Sequence, residues 1–161
     1  MDTMTHNKLI FAPKIALYEP DIPQNTAAII RTCSCLGANV EIIEPCGFFI
    51  NDKRFKRVVM DYLDMDRIKF YKSVEEFLKY KKKNRVILMT TKAKKNYSNF
   101  KFKKDDTILF GRESMGVPKK IHQKIKFKLK IPMQENKRSL NVATTVAITL
   151  AENLRQTKYL L

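Results

Sequence analysis

The chain has 161 residues, 32 Lys and Arg against 16 Asp and Glu for a formal charge of +16 at pH 7, and 44% hydrophobic residues. That length and apolar content fit one folded domain, and they exclude both a pair of full domains and disorder as the main state. The positive surplus makes a polyanion the natural partner, nucleic acid ahead of an anionic membrane surface, because Lys and Arg that neutralise phosphates release counterions.

The opening stretch, MDTMTHNKLIFAPK, has no basic region ahead of an apolar core of signal-peptide length, so a cytosolic protein is expected, with residues 1–13 as a mobile extension. Ile15 to Tyr18 is a compact apolar run ended by Glu19-Pro20 and predicts a first buried strand. Asp21 is placed to cap a helix whose first turn holds Pro23 and Gln24 and which runs through Ile29, Ile30 and Leu36 to a stop at Gly37. Val40 to Ile43 follows as a second strand and completes a βαβ unit. Cys33, Cys35 and Cys46 are odd in number and the first two are close in sequence, which points to reduced thiols. With only His6 and His122, no metal site is expected.

Phe55, Val58, Val59, Tyr62 and Leu63 fall at helical spacing, and a short strand is expected over Ile68 to Tyr71. Ser73 with Glu76 predicts a capping box for a helix with a basic end at Lys79 to Lys83. Val86 to Met89 and Thr107 to Phe110 read as strands, joined by the Lys- and Asn-rich stretch Lys92 to Lys104, expected to be a mobile basic loop. A helix near Pro118, a strand over Phe127 to Ile131 and a helix over about Leu140 to Thr157 complete the series. The uncharged stretch Ser139 to Ala151 is too short to span a membrane. Strands alternating with helices predict a single α/β domain with a mainly parallel sheet and ligands at the carboxyl ends of its strands.

Two of the four glycines lie in Gly111-Arg112-Glu113-Ser114-Met115-Gly116-Val117-Pro118, directly after a predicted strand, where they allow a close turn. The segment is not a phosphate-binding P-loop, because its glycine and lysine spacing is wrong. Together with Asn25 to Arg31 and with Ile131-Pro132-Met133 through Arg138-Ser139-Leu140-Asn141, it forms a collinear set. Leu17-Tyr18-Glu19-Pro20, Ile43-Glu44-Pro45, Asp52-Lys53-Arg54, Asp61-Tyr62 and Thr90-Thr91-Lys92 belong to the same set. On these motifs, over about residues 14 to 157, the chain resembles the SPOUT superfamily of knotted methyltransferases. The match is closest to its small tRNA 2′-O-methyltransferases of the wobble nucleotide, the TrmL/YibK group.

The resemblance implies helices on both faces of the sheet and a deep C-terminal trefoil knot, a topology that composition and periodicity do not predict. It implies S-adenosylmethionine bound in the knot by Met89 and Thr90, Gly111, and Ile131, Ser139 and Leu140. It further implies Arg31 as the group acting on the ribose hydroxyl, with Asn25, Glu113, Ser139 and Asn141 as orienting partners. Since a guanidinium stays protonated, holding an RNA phosphate and polarising the 2′-oxygen suit Arg31 better than taking a proton. The expected partners are a tRNA anticodon loop, carrying wobble cytidine or modified uridine, and a second copy of the chain joined through the knot region.

Taken without the family, the same residues leave plainer readings open. Met89, Ile131 and Leu140 fit ordinary core, Arg31 a surface ion pair, Glu113 a carboxylate at a helix start, and Ser139 and Asn141 helix caps. The Val142, Val146, Leu150 and Leu154 face fits either a partner helix or the chain's own sheet. Tyr80, Tyr97, Phe100 and Phe102, interleaved with lysines, suit base stacking on RNA. A different tRNA or rRNA position, or a noncatalytic RNA-binding protein, remains the alternative.

Overall fold

The computed structural model describes residues 12–60 and 67–159. The expected extension as far as residue 11, and Tyr62 and Leu63 of the helical pattern expected from Phe55 on, lie outside the described residues; Ala12 is fully buried, and Asn39 donates its amide to the Pro13 carbonyl at 3.0 Å. The elements in chain order are β1 (Lys14–Tyr18), α1 (Pro23–Leu36), β2 (Asn39–Ile43), α2 (Lys53–Met60), β3 (Ile68–Tyr71), α3 (Val74–Tyr80), β4 (Val86–Met89), β5 (Lys95–Asn96), β6 (Thr107–Phe110), α4 (Lys119–Lys124), β7 (Phe127–Lys130) and α5 (Val142–Thr157).

The seven strands form one sheet in the order β3-β2-β1-β6-β4-β7-β5, and every pairing is parallel. Alternate side chains point to opposite faces and build two cores. Ile15, Leu17, Val40, Ile42, Ile87, Ile108 and Phe110 pack with Ile29 and Ile30 of α1, Phe55 and Val59 of α2, and Val146 and Leu150 of α5. Ala16, Tyr18, Ile43, Leu88 and Leu109 pack with Val74 and Phe77 of α3 and Ile121 of α4 on the other face. Helices therefore cover both faces, as expected.

The element ends explain themselves locally. Pro23 opens α1 and Gly37 closes it in the left-handed conformation, φ 73°, with its amide on the Ser34 carbonyl. Ser73 accepts the Glu76 amide at 3.2 Å, and Glu76 returns a carboxylate oxygen to the Lys72 amide at 2.6 Å, one residue outside the usual capping box. The last helix starts at Val142 rather than Leu140, because Asn141 is its cap and accepts the Ala143 amide at 2.8 Å.

Three expectations are corrected. Asp21 does not cap α1, whose N-cap is Ile22 without a side-chain bond; its carboxylate is turned toward the loop after β6. The stretch Lys92 to Lys104 is not a structureless loop: β5 pairs with β7 and leads into a short 3-10 turn over Tyr97–Asn99. Phe100 and Phe102 within it are buried and are not stacking platforms for RNA bases. Arg85 fastens this stretch, clamping Asp106 with two bonds of 2.8 Å, donating to the Lys101 carbonyl at 3.0 Å, and stacking near the Phe100 and Phe127 rings.

Candidate active site

In register, Leu17 and Met89 both sit opposite Phe110, and Met89 sits opposite Leu129. The four central strands thus end side by side, and the loops that leave them must meet. They enclose a cavity of about 510 Å³, within the range of roughly 300–1,000 Å³ usual for small-molecule sites. Asn25, Met89, Thr90, Gly111, Glu113, Ile131, Ser139, Leu140 and Asn141 all line it. Arg31 does not: it is exposed on α1, more than one turn beyond Asn25, and is absent from the lining.

A chain of hydrogen bonds ties the loops together. Asn141 donates to Asn25 Oδ1 at 3.0 Å, and Asn25 donates to Glu113 Oε1 at 3.2 Å. Glu113 Oε2 accepts the Asp21 amide at 3.0 Å, while the Glu113 amide donates to Asp21 Oδ1 at 3.2 Å. Ser114 donates its hydroxyl to the other Asp21 oxygen. Burial raises the Asp21 pKa, but the bonds from Glu113 and Ser114 outweigh it and hold the carboxyl below its usual range. Neither plain reading of these residues suffices: Glu113 lies five residues ahead of Pro118, the N-cap of α4, and Asn141 both caps α5 and holds Asn25.

The loop after β6 is a tight turn in which Arg112 and Gly116 exchange bonds of 2.8 and 3.2 Å. A Cβ at Gly111 would come within 2.5 Å of the Gly116 backbone, so the glycine is required by the turn's own closure. Gly116 itself has φ 68°. Arg112 pairs with Glu19, whose φ of 41° is unusual for a non-glycine residue, and the pair links this turn to the end of β1.

Apolar and polar lining groups divide in a way that fits a nucleoside with an amino-acid tail. Met89, Ile131 and Leu140 supply apolar walls, and the His122 Nε2 atom is buried without a hydrogen-bond partner, an orphan that a polar ligand group can satisfy. Burial, with Lys128 and Lys92 nearby, lowers the His122 pKa and favours the neutral ring. Lys92, Arg112, Lys130 and Arg138 line the cavity against the single carboxylate of Glu113, which suits anionic ligand groups. Asp21, His122 and Arg138 were not singled out as site residues from sequence. Asp21 carried a signal, its position directly after the first strand's carboxyl end, but the helix behind it offered a competing role.

The chain matches the model of the SpoU rRNA methylase family over residues 12–151. It is 44% identical over 144 residues to a tRNA (cytidine(34)-2′-O)-methyltransferase of Beijerinckia indica, covering 88% of this chain and 90% of the relative. A solved structure described as giving insight into 2-OH methylation of C/U34 on tRNA superposes with a TM-score of 0.84 at 32% identity, covering 90% of this chain and 95% of that one. At 20% identity and a TM-score of 0.78, a SpoU methyltransferase of Streptomyces viridochromogenes, in complex with AdoMet, shares the fold, over 89% of this chain and 57% of that one. The parallel sheet and the meeting of its loops agree with the knotted fold of these relatives.

Proposed function

Since the chain belongs to the SpoU methylase family and, within it, to the tRNA (cytidine(34)-2′-O)-methyltransferases, we propose that it methylates the ribose 2′-hydroxyl of tRNA wobble nucleotide 34, using S-adenosylmethionine. The observation that carries this reading is the convergence of four strand-end loops on one cavity lined by nine of the ten residues expected at the site. S-adenosylmethionine, when bound, supplies a methyl group on an electrophilic sulfonium, so the remaining needs are alignment, loss of the hydroxyl proton and stabilisation of developing charge. Met89, Ile131 and Leu140 would flank its base, with Thr90, Gly111 and Ser139 offering polar groups beside that slot.

On the substrate side, Asn25 is held at both ends of its amide by Asn141 and Glu113, so it is oriented before RNA arrives. Glu113 spends both oxygens on Asp21 and Asn25 and serves as a positioning residue. Ser139, exposed on the cavity wall, is a hydrogen-bond partner for substrate. Arg31 acts as a cation that grips an RNA phosphate and polarises the 2′-oxygen. Its position outside its own chain's cavity is accounted for by a homodimer joined through the knot region, in which Arg31 serves the partner's cavity. Exposed Ala151 on α5 and exposed Ile22, Met115 and Leu140 at the cavity mouth support a surface that a second macromolecule covers. The reading assigns the activity to residues 14–161 as one domain, with 1–13 as an extension, working in the cytosol; no described helix is long and apolar enough to cross a membrane.

Incubation with methyl-labelled S-adenosylmethionine and tRNA is expected to label the tRNA, and nuclease mapping to locate the label at nucleotide 34. Label at another position, or in rRNA, overturns the substrate; tRNA binding without transfer leaves a noncatalytic RNA-binding protein. Arg31→Ala is expected to abolish transfer with an unchanged circular dichroism spectrum, and retained activity removes Arg31 from the mechanism.

A further inference from the structure

Asp21 does not line the cavity, yet the loop after β6 is fastened to both oxygens of its carboxylate. Oδ1 accepts the Glu113 amide at 3.2 Å and Oδ2 accepts the Ser114 hydroxyl, while the Asp21 amide returns a bond of 3.0 Å to Glu113 Oε2. An ionised carboxylate offers acceptors alone, which suits two donors converging on it. Gly47, in the loop after β2, packs against Asp21. Its amide donates to the Pro20 carbonyl at 2.9 Å, and a Cβ there would come within 2.8 Å of the Asp21 Cβ and 2.9 Å of the Asp21 Cα. Asp21 is thus pressed by one loop's backbone and holds the backbone of another.

We propose that Asp21 is a positioning residue for methyl transfer, acting through Glu113 on the Asn25 amide. The inference rests on the functional reading above, in which Asn25 meets the substrate. Glu113 Oε1 accepts one of the two Asn25 amide hydrogens at 3.2 Å, and Asn141 donates to Asn25 Oδ1 at 3.0 Å, so the direction of the second N–H is set. That direction is only as fixed as Glu113. A glutamate side chain turns about its own torsions, and here Asp21 limits it twice, once at the Glu113 carboxylate and once at the Glu113 amide. Loss of the Asp21 carboxylate frees the Glu113 amide and the Ser114 hydroxyl together, and a misplacement of about 1 Å at a reacting centre can cost about a hundredfold in rate. Asparagine at 21 keeps one oxygen for the Glu113 amide, and the Ser114 hydroxyl can turn to accept from the new amide group. The device therefore needs the hydrogen-bonding shape of the side chain rather than its charge.

The test uses Asp21→Ala, Asp21→Asn and Ser114→Ala in the full chain. Asp21→Ala is expected to lower kcat about thirtyfold, with KM for tRNA and the calorimetric affinity for S-adenosylmethionine within about twofold of wild type. Asp21→Asn is expected to keep kcat within about threefold, and Ser114→Ala to lose about fivefold. Ser114 is exposed, so its variant carries the same readouts should Asp21→Ala fail to fold. Without any methyl acceptor, the Asn25 side-chain amide signals in the proton–nitrogen correlation spectrum, assigned by their absence from Asn25→Ala, are expected to move in Asp21→Ala and to stay in Asp21→Asn. Unmoved Asn25 signals in Asp21→Ala overturn the proposal, as does a loss confined to melting temperature with wild-type kcat. An Asp21→Asn variant as slow as Asp21→Ala overturns positioning in favour of the carboxylate's charge. Should the wild type transfer no methyl groups at all, the functional reading fails, while the amide spectrum still decides whether Asp21 sets Asn25.

Discussion

Gly111 shows how a single missing Cβ sets the shape of the site. The strand before it is fully paired, and the turn after it folds back so closely that an added methyl group would overlap the Gly116 backbone at 2.5 Å. Backbone cannot swing aside as a long side chain can, so Gly111→Ala forces the turn open and displaces Glu113 from Asp21 and Asn25. The expected cost is about 1–3 kcal/mol of stability, read by urea denaturation, together with weaker S-adenosylmethionine binding by calorimetry. Gly116 differs: its Cβ would meet nothing within 4 Å, and only its φ of 68° resists a side chain. Gly116→Ala is therefore expected to cost about 1–2 kcal/mol while leaving the Glu113 bonds in place. Equal loss of ligand binding in the two variants would show that the overlap at Gly111 is not what shapes the cavity.

At the scale of elements, Arg85 is the device that turns an unpatterned lysine-rich stretch into part of the fold. Asp106 is fully buried, and Arg85 is its bidentate partner; removing the guanidinium strands a carboxylate that also holds the Lys103 amide at 2.7 Å. Arg85→Ala is expected to destabilise the protein by about 3 kcal/mol and to speed amide exchange over 95–104. A drop below 1 kcal/mol would mean that Gln156, which bonds the Phe100 carbonyl and the Phe102 amide at 2.9 Å each, and Asn153, which donates to the Lys103 carbonyl at 3.3 Å, hold the stretch without Arg85. These contacts also show what sequence patterning reaches. Val86–Met89 is an unbroken apolar run and Thr107–Phe110 is one from Ile108 on, as strands buried on both faces require, and their bounds are readable to the residue. Lys95–Asn96 carries no such pattern; it is a strand because the exposed edge at Leu129 and Lys130 offers it partners. Asp21 was misplaced for a similar reason, since its true partners are 92 and 93 residues away in the chain. The site itself was legible through motifs in order, while the cavity that joins them depends on strand order, which local propensity does not encode.

For the whole molecule, the +16 surplus overstates the surface open to RNA. Lys81 is paired with Glu41, Arg85 with Asp106, and Lys128 donates to the carbonyls of His122 and Ile125 at 3.2 and 2.6 Å. In the proposed mechanism the cations that act are those around the cavity and Arg31, and Arg31 is set apart from the cavity of its own chain. The proposed crossed homodimer would account for that separation, and it makes a prediction that a monomeric enzyme or a dimer with self-contained sites does not. On that arrangement Arg31→Ala and Glu113→Ala are each expected to disable both sites of a pure dimer. In a mixed dimer, the cavity of the Arg31→Ala protomer is intact and receives Arg31 from the Glu113→Ala protomer, so one site of two is whole. Random reassociation of equal amounts puts half of all protomers in mixed dimers, and transfer to tRNA should recover to about a quarter of the wild-type rate. The measurement is labelled methyl transfer before and after the two inactive proteins are co-refolded together. If the mixture stays inactive while native mass spectrometry shows mixed dimers, Arg31 serves its own chain, and α1 must then move to bring it to the cavity.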